Sequence, residues 1–241
     1  MTITASPVPI LKDNYAWLLR DSASGAVAIV DPADAPPCIA AIEAAGGRLD
    51  LILLTHHHAD HIAGVDEVRA RFNCPVVGAA ADQHRLPKLD EAVKEGDTVR
   101  LGNASAVVID TPGHTRGQIN FFFADGGILL SGDTLFSLGC GRLIEGTAQE
   151  MFASLHKLTA LPPDTLVCCG HEYTESNARF ALAVDPDNAG LHEFVGKVEQ
   201  LRAAGLPSVP SVLADELKAN PFLTAPDAAS FATLRAKKDK F

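Results

Sequence analysis

Seven short apolar runs, each bounded by glycine, proline, aspartate or histidine, constrain what this chain can fold into more than any other feature. They are "AVAIVD" (26–31), "LDLILLT" (49–55), "PVVGA" (75–79), "SAVVIDT" (105–111), "QINFFFA" (118–124), "GGILLSGDT" (126–134) and "DTLVCCGH" (164–171). Their length, β-branched content and flanking turn formers predict strands. Helix-like segments lie between them at 36–45, 62–72 and 147–161. In the last, Thr147 can cap, Glu150 stands three residues on, and apolar residues recur at 151, 152, 155 and 158. Strands alternating with helices give a mixed α/β domain over residues 1–172. Beyond it, "ESNARFALAV", "NAGLHEFVGKVEQLRAAG" and "SVLADELKA" have helical spacing and no convincing strand, which predicts a mostly helical domain over 173–241.

At 241 residues the chain can bury a large core, and 47% hydrophobic with 21% charged residues is an ordinary globular balance. No run approaches the roughly 18 apolar residues of a membrane span, and the N-terminus lacks a basic start followed by an apolar core. We therefore expect a soluble, cytoplasmic protein. The five cysteines show no CxxC spacing, so packed reduced thiols are expected rather than disulfides or a thiolate zinc site. Cys168 and Cys169, adjacent in a strand, should face opposite ways. A net charge of −10 argues against nucleic acid as a partner.

Four of the nine histidines crowd into "THHHADH" (55–61), at the end of an apolar run. Histidine has no strong helix or strand preference that would explain this. Three other runs end in the same chemistry: "VVIDTPGHT" delivers His114, "ILLSGDT" delivers Asp133 and "LVCCGHEY" delivers His171. Nitrogen and carboxylate donors without thiolates suit zinc, iron or manganese. Seven such residues exceed the three or four of a single zinc site and point to two metals.

The form T-H-x-H-x-D-H, followed in order by "TPGHT" and "SGDT", resembles the metallo-β-lactamase superfamily. The resemblance implies an α/β fold, an αββα sandwich, here with a smaller α-helical C-terminal domain. It also implies that His56, His58 and His114 hold one metal, Asp60, His61 and His171 a second, and that Asp133 bridges both. His57 occupies the variable position of the motif and is expected to support or pack. His84, His156 and His192 match nothing.

"GDTLFSLGCGRLIEGTAQEM", "LPPDTLVCCGHEYTESNARFA", "NPF" (220–222) and "LRAKKDKF" narrow the resemblance to the glyoxalase II family of hydroxyacylglutathione hydrolases. That likeness implies hydrolysis of S-D-lactoylglutathione to D-lactate and glutathione by a hydroxide held between two divalent ions, with zinc expected and iron or manganese compatible. Asp60 and Asp133 are the carboxylates placed to move a proton, with ligation their main task. Arg142, Tyr173, Arg235 and Lys238 match the positions that grip glutathione. By itself, "RAKKDK" would read as a solvated face. Ile144 stands where some relatives carry tyrosine, so one ligand hydrogen bond is expected to be missing. The partner is a small glutathione thioester, bound by a monomer, without nucleic acid or membrane. The rivals are a persulfide dioxygenase with one iron and a non-catalytic relic of the fold. The full ligand set argues against both.

Overall fold

Period-two alternation along the strands sends successive side chains to opposite faces, and two six-stranded sheets result. The computed structural model describes residues 3–241. One sheet runs in sequence order: β1 (Ile3–Ile10), β2 (Asn14–Asp21), β3 (Val27–Val30), β4 (Leu51–Leu53), β5 (Val76–Ala79) and β6 (Glu91–Val93). Its first three strands pair antiparallel and the rest parallel. The second sheet contains β7 (Thr98–Leu101), β8 (Ala104–Asp110), β9 (Ile119–Phe123) and β10 (Ile128–Gly132). A separate two-stranded ribbon follows, β11 (Leu135–Phe136) with β12 (Gly139–Cys140). The chain then re-enters the second sheet as β13 (Leu166–Cys169) and β14 (Ser211–Val212), giving the order β14-β13-β10-β9-β8-β7.

The inner faces meet in one core: Leu19, Val30 and Leu53 from the first sheet pack with Val108, Phe121 and Leu130 from the second. Ile29, Ile52 and Val76 point outward instead, under helices α1 (Ala35–Ala44) and α3 (Val65–Phe72); the short α2 (Ala59–Ile62) lies between these two in sequence. On the opposite side Leu129 and Val167 are covered by α4 (Ala148–Thr159) and by α5 (Thr174–Val184), which also packs on α6 (Ala189–Ala203). Helices α7 (Leu213–Ala219) and α8 (Ala228–Lys238) complete that layer. The layers are helix, sheet, sheet, helix. The expected capping box forms at the start of α4, with Thr147 and Glu150 reciprocally bonded.

All seven expected strands are present, but β1, β2, β6, β7 and the ribbon strands β11 and β12 lie outside the sequence reading. Pro7 and Pro9 obscured β1; it is an edge strand, where a missing N–H leaves no ladder bond unmade. The C-terminal segment also contributes β14, antiparallel to β13, so it is not purely helical. Cys168 and Cys169 are both buried, beside a register shift between β10 and β13. All five thiols are free and buried, as expected. Among the described residues no helix is long and apolar enough to cross a membrane.

A carboxyl is buried in the C-terminal layer. Glu216 of α7 is fully buried, and burial pushes its pKa up to about 7. The folded pKa lies above the ordinary 4.5, so the folded state holds the proton more tightly. The stabilisation is therefore full below about pH 4.5 and is lost as pH rises through about 7, a change of about 3 kcal/mol. Urea unfolding of wild type and Glu216→Gln at pH 5 and pH 8 should show the wild type losing more stability on alkalinisation. Equal losses would contradict a buried, titrating acid.

Candidate metal centre and adjoining cleft

Four strand ends deliver the site. His56 and His58 follow β4, with Asp60 and His61 on α2 just beyond; His114 follows β8, Asp133 follows β10, and His171 follows β13. Loops on a rigid strand scaffold are the usual carriers of such groups. His56, His61, His114, Asp133 and His171 are buried, whereas His58 and Asp60 are half-buried.

The donor atoms gather into two trios, His56 with His58 and His114, and Asp60 with His61 and His171; within each trio they lie within 4.8 Å of one another. In the first trio His58 Nδ1 is 3.1 Å from His56 Nε2 and 3.0 Å from His114 Nε2. In the second, His171 Nε2 lies 3.4 Å from Asp60 Oδ2. Asp133 stands between the trios. Its Oδ2 is 3.4 Å from both His114 Nε2 and His171 Nε2, and its Oδ1 is 3.3 Å from His61 Nε2.

These spacings fit metal ligation. Two ligands about 2.05 Å from a tetrahedral ion lie about 3.3 Å apart. His61 Nε2 and Asp133 Oδ1 are buried and face each other, yet neither has a hydrogen-bond partner. Leaving such atoms unpaired costs roughly 1–3 kcal/mol each, a cost that a shared cation removes. The residues present can hold divalent metal ions.

The electrostatics agree. Burial and the neighbouring His61 hold His56 well below the ordinary histidine range; burial also lowers His58, and lowers His114 despite Asp133. Neutral imidazoles are what a metal requires. Burial alone would lower His61 and His171, but Asp133 outweighs it and raises both. Asp133 is held well below the usual carboxylate range: burial opposes this, and His61 and His171 prevail. This end of the site favours positive charge.

The far nitrogens of the imidazoles are also engaged. His61 Nδ1 meets Asp31 Oδ2 at 2.9 Å, His171 Nδ1 meets Asp13 Oδ1 at 3.2 Å, and His114 Nδ1 meets the Arg142 carbonyl at 2.9 Å. Asn14 Nδ2 donates to Asp60 Oδ2 at 3.0 Å. Such partners fix ring orientation and tautomer. Asp31 could in principle join His56 and His61 as a ligand. However, it also accepts from the Thr55 amide at 2.9 Å and the Thr55 hydroxyl at 2.6 Å, which marks it as an orienting group. Sequence reasoning missed Asp13, Asn14 and Asp31. Only Asp31 carried a signal, as the polar end of "AVAIVD". His57 turns away toward Asp82, 3.0 Å from Nδ1. His84, His156 and His192 are exposed and lie elsewhere.

A cleft of 380 Å³ adjoins the centre, and Arg142, Tyr173, Arg235 and Lys238 all line it, with Phe136 and Cys140. Tyr173 stacks on His171 at 4.5 Å and 8°, so the cleft begins at a metal-site histidine. Arg142 is largely exposed. Arg235 is 5% exposed, donating to the Cys140 carbonyl at 2.9 Å and to Asp239 at 2.8 Å. Lys238 Nζ donates to the Ser176 carbonyl at 2.9 Å and lies over the Phe180 and Phe241 rings. Ile144 is 59% exposed and outside the lining. A larger hollow of 590 Å³, bordered by Leu11, Lys12, Asp13 and Arg202, includes none of Arg142, Tyr173, Arg235 and Lys238.

Comparison with known proteins agrees with this geometry. Residues 11–171 match the metallo-beta-lactamase superfamily model, and residues 172–241 match the hydroxyacylglutathione hydrolase C-terminus. The hydroxyacylglutathione hydrolase of Acidiphilium cryptum is 58% identical over 99% of this chain and 97% of its own. That of Methylococcus capsulatus is 50% identical over 97% of each. Among solved structures, ETHE1 from Myxococcus xanthus shares the fold, with a TM-score of 0.71 and 24% identity over 98% of this chain and 90% of its own. TTHA1623, solved in a di-iron-bound form, has a TM-score of 0.59 and 29% identity over 69% of this chain and 91% of its own. Both halves of the chain, and the relatives that match it end to end, lead to one conclusion: it belongs to the metallo-β-lactamase superfamily and, within it, to the hydroxyacylglutathione hydrolases.

Proposed function

We propose that the chain hydrolyses S-D-lactoylglutathione to D-lactate and glutathione, with two divalent ions per chain, zinc in preference to iron or manganese. The observation that carries this reading is the contact between centre and cleft: Tyr173, a cleft wall, stacks on His171 of the second trio. A ligand seated in the cleft therefore places its far end at the donor atoms. His56, His58 and His114 would hold one ion, Asp60, His61 and His171 the other, and Asp133 would span them. When bound, such ions lower the pKa of a coordinated water toward 7 and polarise the substrate carbonyl.

The remaining tasks fall to the chain's own groups. Arg142, Arg235 and Lys238 supply positive charge for the carboxylates of glutathione, and Tyr173 an apolar face with a phenolic end. The leaving group is a thiolate, whose conjugate acid has a pKa of about 8.5, so it departs without a dedicated acid. Asp60, with its side chain 44% exposed and held by Asn14, is the carboxylate with access to solvent for moving a proton. In this reading residues 1–172 carry the metal chemistry and 173–241 the glutathione side. Buried free thiols suit a monomer working in the reducing cytoplasm. The complete second trio favours hydrolysis over a one-iron dioxygenase. Metal analysis, with thioester hydrolysis assayed under an oxygen electrode, tests this: two ions per chain and turnover without oxygen uptake are expected, and oxygen-coupled turnover would overturn it.

Arg235 and Lys238 of α8 should behave differently. Removing either loses a charge-assisted contact that acts equally on ground and transition states, so KM should rise roughly tenfold with kcat preserved. Arg235→Ala should also lower the melting midpoint, because the buried Cys140 carbonyl loses its donor; Lys238→Ala should not. Lys238 carries a pH signature as well. Burial, with Arg235 and Arg179 nearby, pushes its pKa down to about 8. Its charge is present below that value and lost above it, so KM should climb between pH 7 and 9. In Lys238→Arg the profile should be flat, and a wild-type KM indifferent to pH would remove Lys238 from the site.

A further inference from the structure

The ribbon formed by β11 and β12 turns through Ser137 and Leu138, and Leu138 adopts φ +55°, a left-handed conformation unfavourable for a residue with a Cβ. Such strain persists only where the surroundings enforce it. Here the enforcement comes from the C-terminal segment. Five consecutive residues of the ribbon each have a backbone group bonded by a side chain from beyond residue 172. Asn220 Nδ2 reaches the Phe136 carbonyl at 3.3 Å and the Gly139 carbonyl at 3.1 Å. Asn177 Nδ2 donates to the Ser137 carbonyl at 3.0 Å, and Arg235 to that of Cys140. Glu216 Oε2 accepts from the Leu138 amide at 2.8 Å and from Asn220 at 3.1 Å.

The ribbon is more than a connection. Phe136 sets its ring edge-on to His171 at 5.9 Å and to Tyr173 at 5.4 Å, and Phe136 and Cys140 line the cleft. Glu216 and Asn220 are both fully buried, do not line the cleft and form their side-chain hydrogen bonds away from the metal trios. Packing alone would not call for them. A carboxyl and an amide in an apolar layer are costly unless their bonds matter, and theirs converge on one strained turn.

We infer that Glu216 and Asn220 are positioning residues for substrate recognition: from α7 and its C-terminal end they lock the strained ribbon whose Phe136 and Cys140 wall the cleft. The inference rests on the cleft being the glutathione site. The C-terminal segment thus acts on substrate twice, through Arg235 and Lys238 directly and through this clamp at one remove.

The test measures thioester KM and kcat, glutathione affinity by calorimetry, and bound metal for Asn220→Ala. Ile42→Ala, which opens a cavity under α1 in a cluster that contains no ribbon residue, serves as the destabilised control. Asn220→Ala is expected to raise KM and weaken glutathione binding at least fivefold, with kcat and metal content within twofold of wild type; the control should change neither. A purely structural role predicts a lower melting midpoint with unchanged KM, and that result overturns the inference. If Asn220→Ala does not fold, Glu216→Gln and Glu216→Ala decide. Glutamine keeps an acceptor for the Leu138 amide and should retain wild-type KM, whereas alanine should raise it; equal KM values in the two overturn the inference. A wild-type protein that does not bind glutathione instead overturns the cleft assignment itself.

Discussion

Asp133→Ala is expected to lose bound metal and, with it, roughly three orders of magnitude in kcat, about 4 kcal/mol of barrier. The size follows from its placement. Its two oxygens reach His61 on one side and His114 and His171 on the other, at 3.3–3.4 Å. With the two ions proposed above, removing a ligand from one trio would weaken one ion, whereas removing Asp133 would withdraw a donor from both. The change also strips the buried His61 and His171 of the carboxylate that favours their charged forms, so the empty site is rearranged as well. His56→Ala and His58→Ala should follow the same course. His57→Ala should keep its metal, because that ring faces Asp82. Metal analysis alongside thioester hydrolysis checks each variant, and a metal-free Asp133→Ala protein with full activity would sink the metal-centre assignment.

Gly170→Ala is expected to be nearly as damaging, though it removes no functional group. A Cβ at this position would lie 2.6 Å from Asp133 Oδ1 and 2.6 Å from His61 Cε1. Both contacts are too close to exist, and both partners are buried, so the methyl must drive the carboxylate and the imidazole apart. The backbone itself raises no objection, since Gly170 does not have a positive φ. The fold should survive at a cost of about 1–3 kcal/mol for the overpacked methyl. Activity should not: a displacement near 1 Å at reacting groups can cost about a hundredfold. Circular dichroism should remain near wild type while metal content and kcat fall together. Wild-type turnover in this variant would show that Asp133 and His61 can separate without consequence.

Much of the centre was legible because its signals are local. An apolar run predicts a strand, and a histidine or aspartate at its end is delivered by that strand wherever the sheet places it. His56, His58, Asp60, His61, His114, Asp133 and His171 each carry this mark, and their order resembled one family. The helices after residue 172 were legible for the same reason, through spacing over a few turns.

Other features depend on partners remote in sequence. β1 carries two prolines that argue against a strand, and only its edge position, paired with β2 alone, admits them. Asp13, in the turn after β1, and Asn14, the first residue of β2, carry no motif; they matter because an isolated bridge from Asn14 to His171 brings them to the second trio. Arg235 was legible as a basic residue near the chain end, but its burial against the Cys140 carbonyl was not. Glu216 reads as an ordinary polar position of a short helix, and Asn220 is marked only as part of "NPF", until α7 is laid beside the ribbon. The sequence by itself therefore determined the kinds of donor, their order along the chain and the strands that carry them, since these rest on neighbouring residues. Which nitrogen faces which oxygen, which glycine must stay bare and which side chains restrain the Leu138 turn were decided by tertiary structure alone, because distances between segments arise only when the sheets and helices pack.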